Sequence, residues 1–135
     1  MAAIETTAEL LADLAQVIGM KELVLDANKG CHLTIGDDND VYIYDIGDNR
    51  VLMVMPIAPL PLKPDYALVS YLFRSNLFDS EFTPFQIATD EDGMLLQWAR
   101  LNVADYDGTI LAKAIDNLAA RATKLRGEIE PKAGE

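Results

Sequence analysis

The chain has 135 residues, the size of one ordinary domain, and half of them are apolar, so it can bury a hydrophobic core without disulfides or metals. Its 22 acidic residues against 11 basic ones give a formal charge of −11, which disfavours nucleic acid or an anionic membrane as a partner because both would repel it. With Cys31 as its one cysteine, the chain has no internal disulfide, which favours a reducing compartment.

A first helix is predicted from Thr6 to Gly19. The Thr6-Thr-Ala-Glu9 spacing is typical of a capping box, in which the threonine hydroxyl and the glutamate carboxylate each accept a backbone N–H. One apolar stripe carries Ala8, Leu11, Ala15 and Ile18. A shoulder beside it carries Leu10, Leu14 and Val17. The stripe and shoulder together make an apolar arc wider than a helix with one buried face needs. Two interpretations stay open: a helix buried deeply in the core, or a helix whose shoulder is exposed and binds a ligand.

From Glu22 to Pro56 the hydrophobic period changes to two, which predicts an antiparallel meander of three main strands. Turn signals separate the strand segments, which are 23–26, 31–35, 41–46 and 50–55. The first two segments can be parts of one strand split by the Asn-Lys-Gly turn at 28–30. The proline-rich stretch 56–64 is predicted to be an extended linker.

A second helix is predicted from Pro64 to about Phe78, and it is apolar on two opposite faces. One face carries Tyr66, Val69, Phe73 and Leu77. The opposite face carries Leu68, Tyr71 and Leu72. A surface helix buries one face, so we predict that the first of these faces forms a homodimer. A helix sandwiched inside one subunit is the alternative, and the sequence leaves open which face meets which partner.

Two elements complete the chain. Segments 82–89 and 94–100 predict a hairpin around an Asp-Gly turn. A last helix from Asp107 to Arg126 has one narrow apolar stripe, formed by Leu111, Ala114, Ile115, Leu118, Ala122 and Leu125. We expect a single domain over 1–127, a polar tail over 128–135, and an α+β fold with a twisted antiparallel sheet in the order α-β-β-β-α-β-β-α.

Residues that could carry catalysis or bind a metal are few. His32, the one histidine, directly follows Cys31 in a predicted strand, so their side chains point to opposite faces, His32 to the solvent side with Thr34. The acidic turn 37–40 resembles the start of a calcium loop but lacks its glycine and later glutamate. No glycine-rich phosphate loop is present. We therefore predict a binding module with no enzymatic activity, cofactor or metal.

Two further features concern location. No basic residue precedes Lys21, whereas a secretory signal begins with a positive charge. The longest mostly apolar stretch, 51–62, is too short to span a bilayer and contains three prolines. We expect a soluble, cytosolic protein.

Four stretches of the chain resemble the class I type III secretion chaperones, the Tir chaperone family: Leu14–Leu25, Pro56–Pro61, Tyr71–Phe78 and Asp92–Trp98. In that order they are similar to the family's first helix running into its first strand, the exit from its third strand, the end of its second helix and its final hairpin. The resemblance covers nearly the whole chain. It implies a homodimer in the bacterial cytoplasm that holds the N-terminal region of a secreted effector extended and aids its delivery, without hydrolysing nucleotide.

For the binding mode, we predict that the effector's disordered segment adds to a strand edge and buries side chains in apolar grooves. The predicted groove residues are Leu10, Leu14, Val17, Leu33, Ile35, Ile43 and Met53. Those on strands can equally face the core. Two other classes of function stay open: an acidic mimic of nucleic acid, and a small enzyme or ligand-binding domain that uses a buried carboxylate.

Overall fold

The computed structural model describes residues 4–133, and for 130–133 it describes the backbone alone. The elements in chain order are α1 (Thr7–Ile18), β1 (Gly30–Ile35), β2 (Asn39–Gly47), β3 (Arg50–Pro59), α2 (Tyr66–Arg74), β4 (Gln86–Thr89), β5 (Met94–Asn102) and α3 (Gly108–Ala133). A short 3-10 turn, Val103–Asp105, joins β5 to α3. The predicted class and element order are confirmed.

The five strands form one antiparallel sheet in the order β1-β2-β3-β5-β4. From 51 to 57 on β3 and along β5 the odd-numbered side chains are buried, while the even-numbered ones stay at least partly exposed. Helices α1 and α3 pack against each other and share one core with the buried side chains of the sheet. The predicted stripe of α3 faces the core, with Ala114 partly buried and Leu111, Ile115, Leu118, Ala122 and Leu125 fully enclosed.

The start of α1 follows the predicted capping pattern in part. The Thr6 hydroxyl accepts the N–H of Glu9 at 3.1 Å, as expected. The Glu9 carboxylate, however, accepts the N–H of Glu5 at 3.3 Å rather than that of Thr6. Gly19 then ends the helix in the left-handed region, at φ +78°, which costs glycine little.

The predicted strand over 23–26 is absent, because Asp26 forms a turn of its own. Its carboxylate accepts the N–H groups of Asn28 at 2.8 Å and Gly30 at 3.0 Å. This side-chain bonding takes the place of a strand ladder, as is common for aspartate in turns. The meander therefore begins at Gly30.

The predicted end of β3 at Met55 is wrong, because the strand continues through Pro56 to Pro59. Pairing with β2 extends only to Val54, whereas pairing with β5 continues to Pro59. Proline lacks an N–H, so it is tolerated where one side of a strand has no ladder to maintain. On that side Arg126 of α3 supplies hydrogen bonds in place of a neighbouring strand. It donates to the carbonyls of Ile57 at 2.7 Å and Pro56 at 3.2 Å, and to the Asn39 side chain at 2.7 Å.

Helix α2 is shorter than predicted. The Asp65 carboxylate caps it by accepting the N–H of Leu68 at 2.8 Å, so the helix begins after Pro64, and it ends at Arg74. Turns follow, and the Asn76 side chain accepts the N–H of Ile87 at 2.7 Å and donates to its carbonyl at 2.9 Å. Asn76 thereby occupies the outer edge of β4, which begins at residue 86 rather than 82.

Helix α3 is longer than predicted. It passes through Gly127 and reaches Ala133, so most of the predicted tail over 128–135 is helical. The reason is burial, since Ile129 continues the apolar stripe and is enclosed in the core. Residues 134–135 of that tail lie outside the described residues.

Candidate functional site: apolar binding surfaces

The seven predicted groove residues divide by burial. Five are at most 2% exposed and belong to the core: Leu10, Leu14, Leu33, Ile43 and Met53. The prediction that these five line open grooves is wrong, because α1 packs against α3 and all five side chains lie in the one core that the helices share with the sheet. Val17 is exposed and Ile35 is half-buried, so these two remain available to a ligand.

A groove of about 540 Å³ lies between α1 and the segment that follows it. Its buried wall includes Leu11, Ala15 and Leu23. Its rim includes Met20 and Val24, and the Val24 side chain is 62% exposed. A concave apolar site with an exposed apolar rim suits a side chain of an extended segment.

The outer edge of β1 offers unpaired backbone groups. The Lys29 carbonyl accepts the N–H of Asp45 on β2 at 2.9 Å, whereas the Gly30 carbonyl accepts that of Asp26 at 2.8 Å. Inward and outward bonding alternates along an antiparallel strand, so the N–H and C=O groups of His32 and Thr34 face away from β2. The opposite edge of the sheet, at β4, is occupied by Asn76.

Side chains beside this edge form a small polar cluster. The Asp40 carboxylate lies 2.9 Å from His32 Nε2 and accepts the Thr34 hydroxyl at 3.0 Å. These bonds, that to His32 first, hold the pKa of Asp40 below its usual value. The His32 ring stacks on Tyr42 with centroids 4.6 Å apart. The prediction that His32 lies on the solvent face is confirmed.

The face of the sheet opposite the helices is also apolar. Its register places Tyr42, Val54 and Trp98 side by side across β2, β3 and β5. We call the outer sheet face the partly exposed set Tyr42, Tyr44, Leu52, Val54, Leu96 and Trp98. At one border the Arg100 guanidinium lies 5.2 Å from the Trp98 ring. Sequence reasoning missed this surface, although apolar residues at consecutive strand positions were its signal.

Helix α2 is poorly buried for an apolar helix. Leu68 is its one buried residue, while Tyr71 and Leu72 pack partly against the core. We call the α2 outer face the predicted set Tyr66, Val69, Phe73 and Leu77, although Leu77 lies in the turns after α2 rather than on the helix as predicted. Tyr66 is 86% and Phe73 74% exposed, and the neighbouring Phe78 and Leu62 are exposed as well. These large apolar side chains are therefore exposed in the single chain, and exposed apolar surface of this kind is a candidate interaction surface.

Groups for chemistry do not converge. Cys31 is buried on the face opposite His32, and burial, with a smaller effect of Asp26, raises the pKa of its thiol. Among residues 4–133, no group of three or more His, Cys, Asp or Glu side chains is placed to hold a metal ion. Within the same residues, no helix has the length and apolar composition to cross a bilayer.

A sequence profile of the Tir chaperone protein (CesT) family matches residues 9–126. The chain belongs to this family. The resemblance inferred from the sequence is thus confirmed, over nearly the whole chain. No curated protein sequence matches the chain significantly.

Solved structures agree with the family assignment. The chain is similar to the Yersinia pestis type III secretion chaperone SycH, determined with a stable fragment of YscM2, at 26% identity and a TM-score of 0.75 over 88% of this chain and 99% of that chain. It is also similar in fold to the heterodimeric ExoU–SpcU complex of the Pseudomonas aeruginosa type III secretion system, at 21% identity and a TM-score of 0.75, covering 90% and 98% of the two chains. The HopA1–SchA chaperone–effector complex shares the fold at 18% identity and a TM-score of 0.70, covering 87% and 91%.

Proposed function

We propose that this Tir chaperone family member acts in the bacterial cytoplasm as a homodimeric type III secretion chaperone without enzymatic activity. It binds the N-terminal region of a secreted effector in extended form, keeps it soluble and aids its delivery to the secretion apparatus. One observation carries this proposal: the unpaired edge of β1 lies beside apolar surface. Support also comes from similar structures, in which a type III secretion chaperone is in complex with a fragment of a second protein and a chaperone is in complex with an effector.

Strand addition at β1 accounts for capture of an extended segment. A strand paired with His32 and Thr34 satisfies their outward N–H and C=O groups and directs its own side chains alternately to the two faces of the sheet. One set then lies beside the exposed His32 ring, which stacks on Tyr42 of the outer sheet face, and the other lies on the helix side. Ordering the segment costs about 2–5 kcal/mol or more of the interaction free energy. Burial of its side chains beside the sheet and in the groove at Val24 offsets this cost.

The α2 outer face supports the homodimer. In one chain its large side chains lie in water, whereas a second copy packed face to face would remove them from it. The formal charge of −11 makes copies of the chain repel one another. This repulsion opposes non-specific association through the exposed apolar surface.

Proline at position 34 tests the strand edge. Thr34→Pro removes the outward N–H and leaves the β1–β2 ladder intact, so binding of the N-terminal region of a secreted protein that co-purifies with the wild-type chain is expected to weaken about tenfold in fluorescence anisotropy. Thr34→Ala is the matched control, since it loses the hydroxyl bond to Asp40 but keeps the N–H. Unchanged affinity of a folded Thr34→Pro chain would refute strand addition at this edge.

An aspartate at position 73 tests the dimer. Sedimentation is expected to give twice the chain mass for the wild type and the single-chain mass for Phe73→Asp, because the substitution buries an unpaired charge in the contact. Thr123→Asp, on the exposed side of α3, is expected to stay dimeric. A single-chain mass for the wild type at low micromolar concentration contradicts the homodimer.

A further inference from the structure

Arg121 of α3 is a charged side chain enclosed in the fold. It is 3% exposed, and its Nε donates to Gln97 Oε1 at 2.6 Å. Gln97 is buried as well, and its own amide donates to the Leu118 carbonyl at 3.0 Å. The guanidinium is thus fixed through one nitrogen by a buried polar side chain that is itself held in place.

The other two nitrogens of Arg121 are not satisfied by the chain. Neither Nη1 nor Nη2 has a hydrogen-bond partner among the described residues, and both are buried. The Phe82 ring covers one face of the guanidinium at 3.7 Å, and both terminal nitrogens are closed to solvent, so an acceptor from the cleft has to approach in the guanidinium plane and displace the side chains that cover them. Arg126, five residues further along α3, bonds through all three nitrogens.

The surroundings of Arg121 only partly compensate its charge. Burial lowers the pKa of the guanidinium, and Tyr71 and Glu81 oppose that shift. Tyr71 acts on the guanidinium electrostatically and through a side-chain hydrogen-bond contact, but this contact falls short of full hydrogen-bond geometry at Nη1 and Nη2. A buried cation without a paired anion is costly, so this arrangement is expected to recruit an acceptor from outside the chain.

A cleft of about 440 Å³ adjoins this side chain. Its walls join α2, the turn after it and α3, and the residues on them include Tyr71, Glu81, Phe82, Asn117 and Lys124. Lys124 adds a second cation and Asn117 an amide that can donate a hydrogen bond. The cleft therefore combines a fixed guanidinium edge, an ammonium and an amide.

We propose that this cleft is a carboxylate-binding site in which the two free guanidinium nitrogens of Arg121 bind the two oxygens of one carboxylate. The fork geometry of Nη1 and Nη2 matches a carboxylate oxygen pair. Glu81 on the same walls disfavours a phosphate dianion more than a single negative charge. The carboxylate belongs either to a free organic acid or to an acidic side chain of a second copy of the chain, and the two sources give different results below.

Side-chain NMR of arginine in the full-length protein tests the site. Sodium acetate is the probe, and sodium chloride at equal ionic strength is the control for screening. A free acid is expected to give a saturable shift of the Arg121 Nε–H signal on acetate addition, while the Arg126 signal does not move. A carboxylate from a second copy is expected to give an Arg121 shift when the protein is diluted from dimer to monomer, without acetate.

Variants provide the second readout. Lys124→Gln changes an exposed residue and is expected to weaken acetate binding about two- to fivefold, whereas Lys113→Gln, also exposed on α3 but not on the cleft wall, leaves it unchanged. Arg121→Lys keeps the charge but loses the fork, and is expected to weaken it at least about tenfold. The proposal is overturned if Arg121 shifts neither with acetate nor on dilution, if chloride produces the same shift, or if Arg126 moves equally.

Discussion

Replacing Gly108 with alanine is expected to separate α1 from α3 and to destabilise the protein strongly. Gly108 begins α3 where the helix meets α1, and its N–H donates to the Asp13 carboxylate at 2.6 Å. A Cβ at this position would lie 2.5 Å from the carbonyl carbon and oxygen of Asp13 and 2.8 Å from the Leu14 nitrogen. These are backbone atoms of a packed helix, so the two helices have to move apart.

The size of the effect follows from two losses. Overpacking costs about 1–3 kcal/mol, and breaking a hydrogen bond to a charged group costs about 1.5–3 kcal/mol, so the free energy of unfolding falls by about 2.5–6 kcal/mol. An unfolding entropy of about 2.1 cal/mol/K per residue gives about 0.28 kcal/mol/K for 135 residues. The thermal midpoint is therefore expected to fall by about 9–21 °C.

The assay is thermal unfolding followed by circular dichroism at a fixed protein concentration. Gly127→Ala is the matched control: the same substitution in the same helix, where a Cβ would meet no atom within 4 Å. Alanine is favoured over glycine inside a helix by about 0.5–1 kcal/mol, so this variant is expected to melt about 2–4 °C above the wild type. A Gly108→Ala midpoint equal to that of the wild type would show that α1 is not seated on the start of α3.

Three further predictions concern particular side chains. Arg126→Met is expected to lower the free energy of unfolding in urea by about 2–4 kcal/mol, because the carbonyls of Pro56 and Ile57 lose their donor; an unchanged urea midpoint contradicts this role. The pKa of Asp40 is lowered by folding, so its contribution to stability is present above its ordinary value of 3.8 and is lost as the pH falls through the folded value; Asp40→Asn is expected to show a shallower loss of thermal midpoint in acid, and parallel curves argue against the His32–Asp40 bond. Cys31 is buried and the pKa of its thiol is raised, so Ellman's reagent at pH 8 is expected to react with it only as fast as the fold opens, and immediate labelling of native protein is the contrary result.

The sequence predicts the architecture well because periodicity is a local signal. The apolar residues of α3 recur at helical spacing along a single face, and that face packs against the rest of the core. Leu111, Ile115 and Leu118 are therefore buried, as predicted. Where a feature depends on distant residues, the prediction fails. The extension of β3 through Pro56 depends on Arg126, which is far along the chain.

The burial of the candidate site residues also depends on contacts with residues that are distant in the sequence. Leu10 and Leu14 are apolar and at helical spacing, but that spacing alone does not show that both are buried. Their burial depends on how α1, α3 and the sheet pack into one core. The sequence did indicate the α2 outer face, since Phe73 and Leu68 lie on opposite sides of one helix. The sequence does not indicate the cleft at Arg121, because whether the guanidinium lacks a hydrogen-bond acceptor depends on which side chains the fold brings around it.

The bond pair between Asn76 and Ile87 has a consequence for self-association. A sheet with two free borders can be extended by copy after copy into a fibre, whereas here an amide takes the place of the next strand on one side. Among copies of this chain, pairing can then begin at the β1 edge and stops once two β1 edges have paired, because the β4 edge of each sheet is already occupied. A molecule that handles unfolded polypeptide can thereby accept a guest strand without seeding a polymer of itself.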